Sequence, residues 1–152
     1  MSLANGREYL AIPGPSVMPD RVLRAMHRAA PNIYEGAIVD EVAGIAADLK
    51  RVAKTESNLA IYIANGHGAW EAAMANTHSR GDLCLVLATG RFALGWSMHA
   101  QGLGIELDVM DFGKSSDVDL GQVAERIAAD TEHRIKSVIV VHVDTASSVR
   151  ND

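Results

Sequence analysis

Apolar and polar positions follow two rhythms along the chain. Ahead of Leu59 the apolar residues recur at helical spacing. The stretch Pro19-Asp20-Arg21-Val22-Leu23-Arg24-Ala25-Met26 places proline in a first turn, where its missing N–H costs nothing, and predicts a helix. A second helix is predicted from about Asp40 to Ala53, with Val42, Ile45, Ala46, Leu49 and Val52 on one stripe. Upstream, Arg7 to Ser16 contains Ile12-Pro13-Gly14-Pro15-Ser16. Two prolines around a glycine neither continue a helix nor enter a central strand, so this part reads as an extended arm or turn.

From Leu59 the rhythm changes to short apolar runs alternating with helical patterns. Leu59–Ile63, Leu83–Leu87, Ile105–Met110 and Ser137–Val143 read as strands. Ala69–Thr77, Ala93–Gln101 and Leu120–Ala129 read as helices. The strands are continuous apolar runs, as a parallel sheet covered by helices on both faces requires. The fold class is therefore α/β, with no internal repeat and no low-complexity segment. Gly81-Asp82 and Gly102-Leu103-Gly104 supply short helix-to-strand turns. In such a sheet ligands gather at the carboxyl ends of the strands. That rule selects Asn65–Gly68, Thr89–Phe92 and Asp144–Ser148.

Composition narrows the choices. With 152 residues, 48% of them hydrophobic, the chain can bury a core. A net charge of −5 argues against a nucleic-acid or membrane-surface binder. No apolar run reaches bilayer length and no signal-peptide pattern opens the sequence, so a cytoplasmic location is expected. The one cysteine, Cys84, lies inside Leu83-Cys84-Leu85-Val86-Leu87 and reads as a small core residue. His27, His78, His99 and His133 show no paired metal-ligand spacing and read as surface or helix-face residues; no metal site is expected.

Asn65-Gly66-His67-Gly68 joins a predicted strand to a predicted helix. Bare glycines let a ligand approach the backbone, and the helix start aims N–H groups and its positive dipole end at the same point. An anion such as a phosphate suits that place, and so does a plain turn without a ligand. A Walker loop is excluded by the absence of lysine here. A dinucleotide fingerprint is disfavoured because Glu71 stands where glycine or alanine belongs. Phe92, after Gly90-Arg91, is either a stacking ring or a core aromatic. His142 and Asp144 share a strand face, but a triad with Ser147 or Ser148 lacks a nucleophile elbow and crowds three members into one loop.

As an ordered set these segments resemble the class V, fold-type I pyridoxal-phosphate aminotransferases, and within them the serine–glyoxylate and alanine–glyoxylate (serine–pyruvate) group. The residues that carry the resemblance are Pro13-Gly14-Pro15-Ser16, Gly66-His67-Gly68-Ala69-Trp70-Glu71-Ala72, Ala75-Asn76-Thr77 with Gly81-Asp82, Gly90-Arg91-Phe92, and His142 through Asp152. The resemblance implies a cofactor, pyridoxal 5'-phosphate. It makes Asn65, Gly66 and His67 the phosphate cradle, Phe92 the ring-stacking aromatic and Thr145 the hydroxyl near the ring's phenolic oxygen. Gly14 and Tyr34 match positions near the substrate, and Tyr34 in particular resembles a residue that reaches a neighbouring subunit's site. It further implies small amino acid and 2-oxo acid substrates and a homodimer. Relatives often carry Ser or Thr where Asn65 stands and Thr where His67 stands, so the backbone share of the phosphate contact is the firmer one.

The resemblance also implies a division into an N-terminal arm with the first helix, residues 1–36, and the N-terminal part of the cofactor-binding large domain, residues 37–152. The chain's four lysines are Lys50, Lys54, Lys114 and Lys136, and none occupies a loop of the family's lysine type. The lysine that carries the cofactor, and the acid facing its ring nitrogen, are expected downstream of Asp152. The expectation is thus the N-terminal part of a transaminase, with no catalytic residue of its own and inactive alone. Two alternatives stand beside it: another class V enzyme of the cysteine desulfurase type, and a non-catalytic α/β phosphate-binding module.

Overall fold

The computed structural model describes residues 10–12 and 14–152. Of the expected arm, Arg7 to Tyr9 and Pro13 lie outside the described residues. The chain divides into two compact units, one ending at Ile61 and one spanning Tyr62–Asp152.

Among its described residues the first unit holds two helices. Helix α1, Asp20–Met26, forms where the sequence predicts it, but Pro19 is its N-cap, one position ahead of the first turn, and Asp20 opens the positive first turn. Helix α2, Ala37–Ala53, begins three residues earlier than its apolar stripe suggests, because Gly36 provides the turn that opens it. Lys50 and Arg51 occupy its last turn, where the dipole favours cations. Neither helix contains a fully buried residue, and the α2 stripe is exposed at Val42, Ile45, Leu49 and Val52.

The second unit is built around a three-stranded parallel sheet, order β2-β1-β3. Strand β1, Leu83–Ala88, is central; β2, Glu106–Asp111, and β3, Ile135–Val140, flank it. Helices α3, Gly66–Thr77, α4, Arg91–Gly102, and α5, Leu120–Ala128, complete the alternation. Two residues of β4, Val143–Asp144, pair antiparallel with β5, Val149–Arg150.

Strand β1 explains its own composition. Cys84 and Val86 point into a cluster with Met74, Ala100, Ile105 and Ile139, against which Trp96 packs. Leu85 and Leu87 point the other way, to Val123 and the flanking Met110, Phe112 and Ile135. Both faces are covered, so every residue from Cys84 to Ala88 is buried and polar alternation would be costly. A register shift in β3 pairs Leu83 with Ile135 and Cys84 with Ser137. That bulge sends Ile135 to the α5 face although Ser137 and Ile139 serve the other face. The Cys84 thiol is pushed up from its ordinary pKa by burial, partly offset by the Ser137 hydroxyl, and it belongs to the core as its surroundings in sequence suggest.

The expected strand Leu59–Ile63 does not form. It has no ladder partner among the described residues, and Ile61 and Ile63 stand exposed. Its apolar run meets the sequence requirement for a buried strand, but a strand exists only where a neighbour supplies the opposing N–H and C=O groups. The last predicted strand, Ser137–Val143, is also displaced: β3 begins at Ile135 and ends at Val140, and Val143 starts the separate small hairpin.

Candidate functional site

Within the second unit, Asn65–Gly68, Thr89–Phe92 and Asp144–Ser148 are linked into one site through His67, Phe92 and Asp144, although among the described residues no strand precedes Asn65. Asn65 is the N-cap of α3: its Oδ1 accepts the N–H of His67 at 3.1 Å and that of Gly68 at 3.4 Å. A short carboxamide does this because a helix start leaves N–H groups without partners in its own first turn. The two glycines of this loop differ. A Cβ on Gly68 would run into the Ala64 Cβ, so the close approach of the helix to the preceding chain requires glycine there. A Cβ on Gly66 would meet nothing within 4 Å. The protein's own packing makes no demand for glycine at Gly66, and the space in front of it is open.

Helix α4 starts directly after β1, through Thr89 and Gly90. Gly90 has no side chain to cap the helix, and the cap comes from Asp144 instead. Asp144 Oδ2 accepts the N–H of Phe92 at 2.8 Å and of Ala93 at 3.1 Å. Its Oδ1 accepts the N–H of Ala146 at 3.0 Å. Asp144 is completely buried, and three N–H donors together with the positive end of α4 meet its charge. A Cβ on Gly90 would sit on this carboxylate, 2.6 and 2.7 Å from its oxygens, so Gly90 and Asp144 are complementary. Asn151 locks the layer beneath. Its Nδ2 donates to Thr89 Oγ1 at 2.9 Å and to Val141 O at 2.7 Å, and its Oδ1 accepts the Val118 N–H at 3.1 Å.

The second residues of α3 and α4 face one another. The His67 ring lies 6.2 Å from the Phe92 ring at a 40° tilt, 4.8 Å from Trp70 and 5.3 Å from His99. Behind them Trp70 stacks on Trp96 at 5.2 Å and 10°. This aromatic seam ties the first turns of α3 and α4 together; Asp144 already meets the positive end of α4, so the end that faces open space is that of α3 at Gly66.

The structure therefore brings Asn65, Gly66, His67 and Phe92 into one place, and Thr145 sits next to Asp144 with its side chain exposed. Gly14 and Tyr34 belong to the first unit; both are exposed, and the Tyr34 N–H bonds Asn32 Oδ1. His99, read as a surface or helix-face residue, lies on α4 and is half-buried against His67. His78, likewise read as a surface residue, is half-buried and shares a 2.6 Å hydrogen bond with Ser137 Oγ. Sequence reasoning missed Asp144 and Asn151 as internal connectors. The legible signal was a helix start at Gly90 with no capping side chain of its own, which calls for an acceptor from elsewhere.

No protein-family model matches the chain. Serine–glyoxylate aminotransferase of Arabidopsis thaliana is 34% identical over 148 residues, which are 97% of this chain and 37% of that protein. The serine–glyoxylate aminotransferase of Methylorubrum extorquens matches with the same identity and the same shares. The chain is thus similar to serine–glyoxylate aminotransferases along nearly its whole length. It spans 37% of the length of these two curated relatives. A solved structure shares the fold: alanine–glyoxylate aminotransferase from Nostoc sp. superposes with a TM-score of 0.75 at 23% identity, over 100% of this chain and 42% of that one. The parallel sheet with its helices is thus part of a fold-type I domain. The class V relatives favour the aminotransferase reading over the desulfurase and phosphate-module alternatives.

Proposed function

We propose that this chain is the N-terminal part of a pyridoxal-phosphate aminotransferase that moves an amino group from serine or alanine to glyoxylate or a similar small 2-oxo acid. The observation that carries the reading is the pair of helix starts held together at His67 and Phe92, in front of a glycine that the protein's packing leaves open. The residues fit the cofactor's phosphate end and ring. The N-terminus of α3, with Gly66 and the side chains of Asn65 and His67, would bind the phosphate. Phe92 would lie on one ring face, and Thr145 would offer its hydroxyl at the ring's edge.

Bound there, pyridoxal phosphate supplies an electron-withdrawing ring that stabilises the charge left on an amino acid's Cα when its proton departs. The chain's own residues anchor and orient. The open space over Gly66 admits a phosphate to the helix N–H groups, and the Asn65 carboxamide must turn from accepting those N–H groups to donating toward the anion. Phe92 would set the ring plane and cover one face against water. Moving the Cα proton requires an amine at the reacting end. Lys114 and Lys136, the two lysines of the second unit, are both exposed, one in a loop and one at the amino end of β3. Their exposure supports the reading that the lysine lies in a segment beyond this chain. Gly14 and Tyr34 are read as substrate-side residues, and the enzyme as a cytoplasmic homodimer in which Tyr34, 86% exposed, serves the partner's site.

The test uses the full-length protein. Pyridoxal phosphate should bind at least about ten-fold more tightly than pyridoxal, a difference of about 1.4 kcal/mol from the phosphate alone. Serine or alanine should then convert glyoxylate to glycine. Equal affinity for the two cofactor forms would remove the cradle from the reading, and cysteine as the preferred donor would redirect it to desulfuration.

A further inference from the structure

We infer that Asp144 is the positioning residue that sets the ring plane, by tying the stacking residue and the hydroxyl residue to one buried carboxylate. The inference rests on the pyridoxal-phosphate reading of this site.

The geometry is specific. Phe92 and Thr145 lie far apart in sequence and on different elements. A single side chain links the backbone at both. Asp144 Oδ2 holds the N–H groups of Phe92 and Ala93, and Oδ1 holds the N–H of Ala146, the residue after Thr145. The Asp144 carbonyl also accepts from Ser147 at 3.2 Å and Ser148 at 2.8 Å, which closes the turn carrying Thr145. Asp144 is fully buried against Gly90, and three N–H bonds fix its carboxylate in one position. Its aspartate chemistry is also dictated. Both oxygens accept, and each faces an N–H. An asparagine would set its NH2 group against an N–H on one side or the other, and would release either Phe92 or the Thr145 turn. The α3 cradle takes no part in this carboxylate's bonds, so phosphate binding and ring orientation are separable.

The experiment compares the full-length holoprotein with its Asp144→Asn variant, read by circular dichroism in the cofactor's visible absorption band per mole of bound pyridoxal phosphate. The expected result is a loss of at least half of that signal, while pyridoxal-phosphate affinity changes by less than about five-fold. An unchanged signal per bound cofactor, with only a lower Tm, would overturn the inference and leave Asp144 a fold residue. Wild-type protein that binds no pyridoxal phosphate would instead defeat the underlying functional reading. Should Asp144→Asn not fold, Asp144→Ser keeps one acceptor and adds no NH2; it should retain an intermediate signal. Amide exchange in the wild-type protein decides the matter without any variant. The Phe92, Ala93 and Ala146 amides should gain protection together when pyridoxal phosphate is added, and independent behaviour of Ala146 would overturn the link.

Discussion

Single residues at this site carry two kinds of demand, and substitution separates them. Asn65 caps α3 with an acceptor, whereas the proposed phosphate would need a donor there. Asp and Asn cap helices about equally well, and a negative charge near a helix start is favourable. Asn65→Asp should therefore leave the Tm unchanged or raised, while pyridoxal-phosphate affinity falls by at least about ten-fold through anion repulsion. A thermal melt beside a cofactor titration checks both halves. The two glycines behave in opposite ways. Gly68→Ala forces a methyl into Ala64 and should cost about 1–3 kcal/mol in urea unfolding. Gly66→Ala meets open space, so stability should hold and the loss should appear in phosphate binding alone.

At the scale of elements, capping chemistry sets the acid limit of the second unit. Asp119 caps α5, accepting the N–H of Gly121 and Gln122, and the Gln122 side chain reaches back to it at 2.9 Å. The Gln122 side-chain bond is the main reason its carboxyl lies below the ordinary range. Asp130 is lowered as well, chiefly by the Ile135 N–H that it accepts at the entrance of β3, with Arg134 adding a second N–H. A carboxylate whose pKa is lowered on folding stabilises the native state above its unfolded pKa, and that share is lost as pH falls through the folded value. The unfolding midpoint in urea should therefore drop as pH is taken below about 4, and Asp119→Asn with Asp130→Asn should flatten that drop. Among the elements, β1 was readable because both its faces are covered and its composition says so. Leu59–Ile63 was misread for the complementary reason: an apolar run specifies burial, whereas strand formation depends on a neighbouring ladder that no local pattern encodes.

For the whole molecule, the two units leave apolar surface open. Val42 and Val52 on α2, Ile63 ahead of α3, and Val138 and Val140 on β3 are all exposed. A chain that spans 37% of its class V relatives and shows such surface should associate when made alone. Size exclusion of the 152-residue chain should show species above its 16.2 kDa mass. Borohydride reduction after incubation with pyridoxal phosphate should leave no stoichiometric lysine adduct, because the second unit's lysines are surface residues. One specific adduct, together with turnover of serine and glyoxylate, would show instead that the chain carries its own reactive amine.

The sequence by itself determined the α/β alternation, the position of the central strand and the glycine loop before α3. Each is a local matter of periodicity, burial or backbone freedom. Family resemblance then supplied roles for Asn65, Gly66, His67, Phe92 and Thr145. Only the tertiary structure decided that Asp144 from β4 caps α4, that Gly90 exists to admit that carboxylate, and that Asn151 ties Thr89 to Val141. The His67–Phe92 contact across two helices belongs with them. These pairings join residues distant in sequence, and their energies depend on complementary shape and charge at the moment of contact, which no residue carries alone.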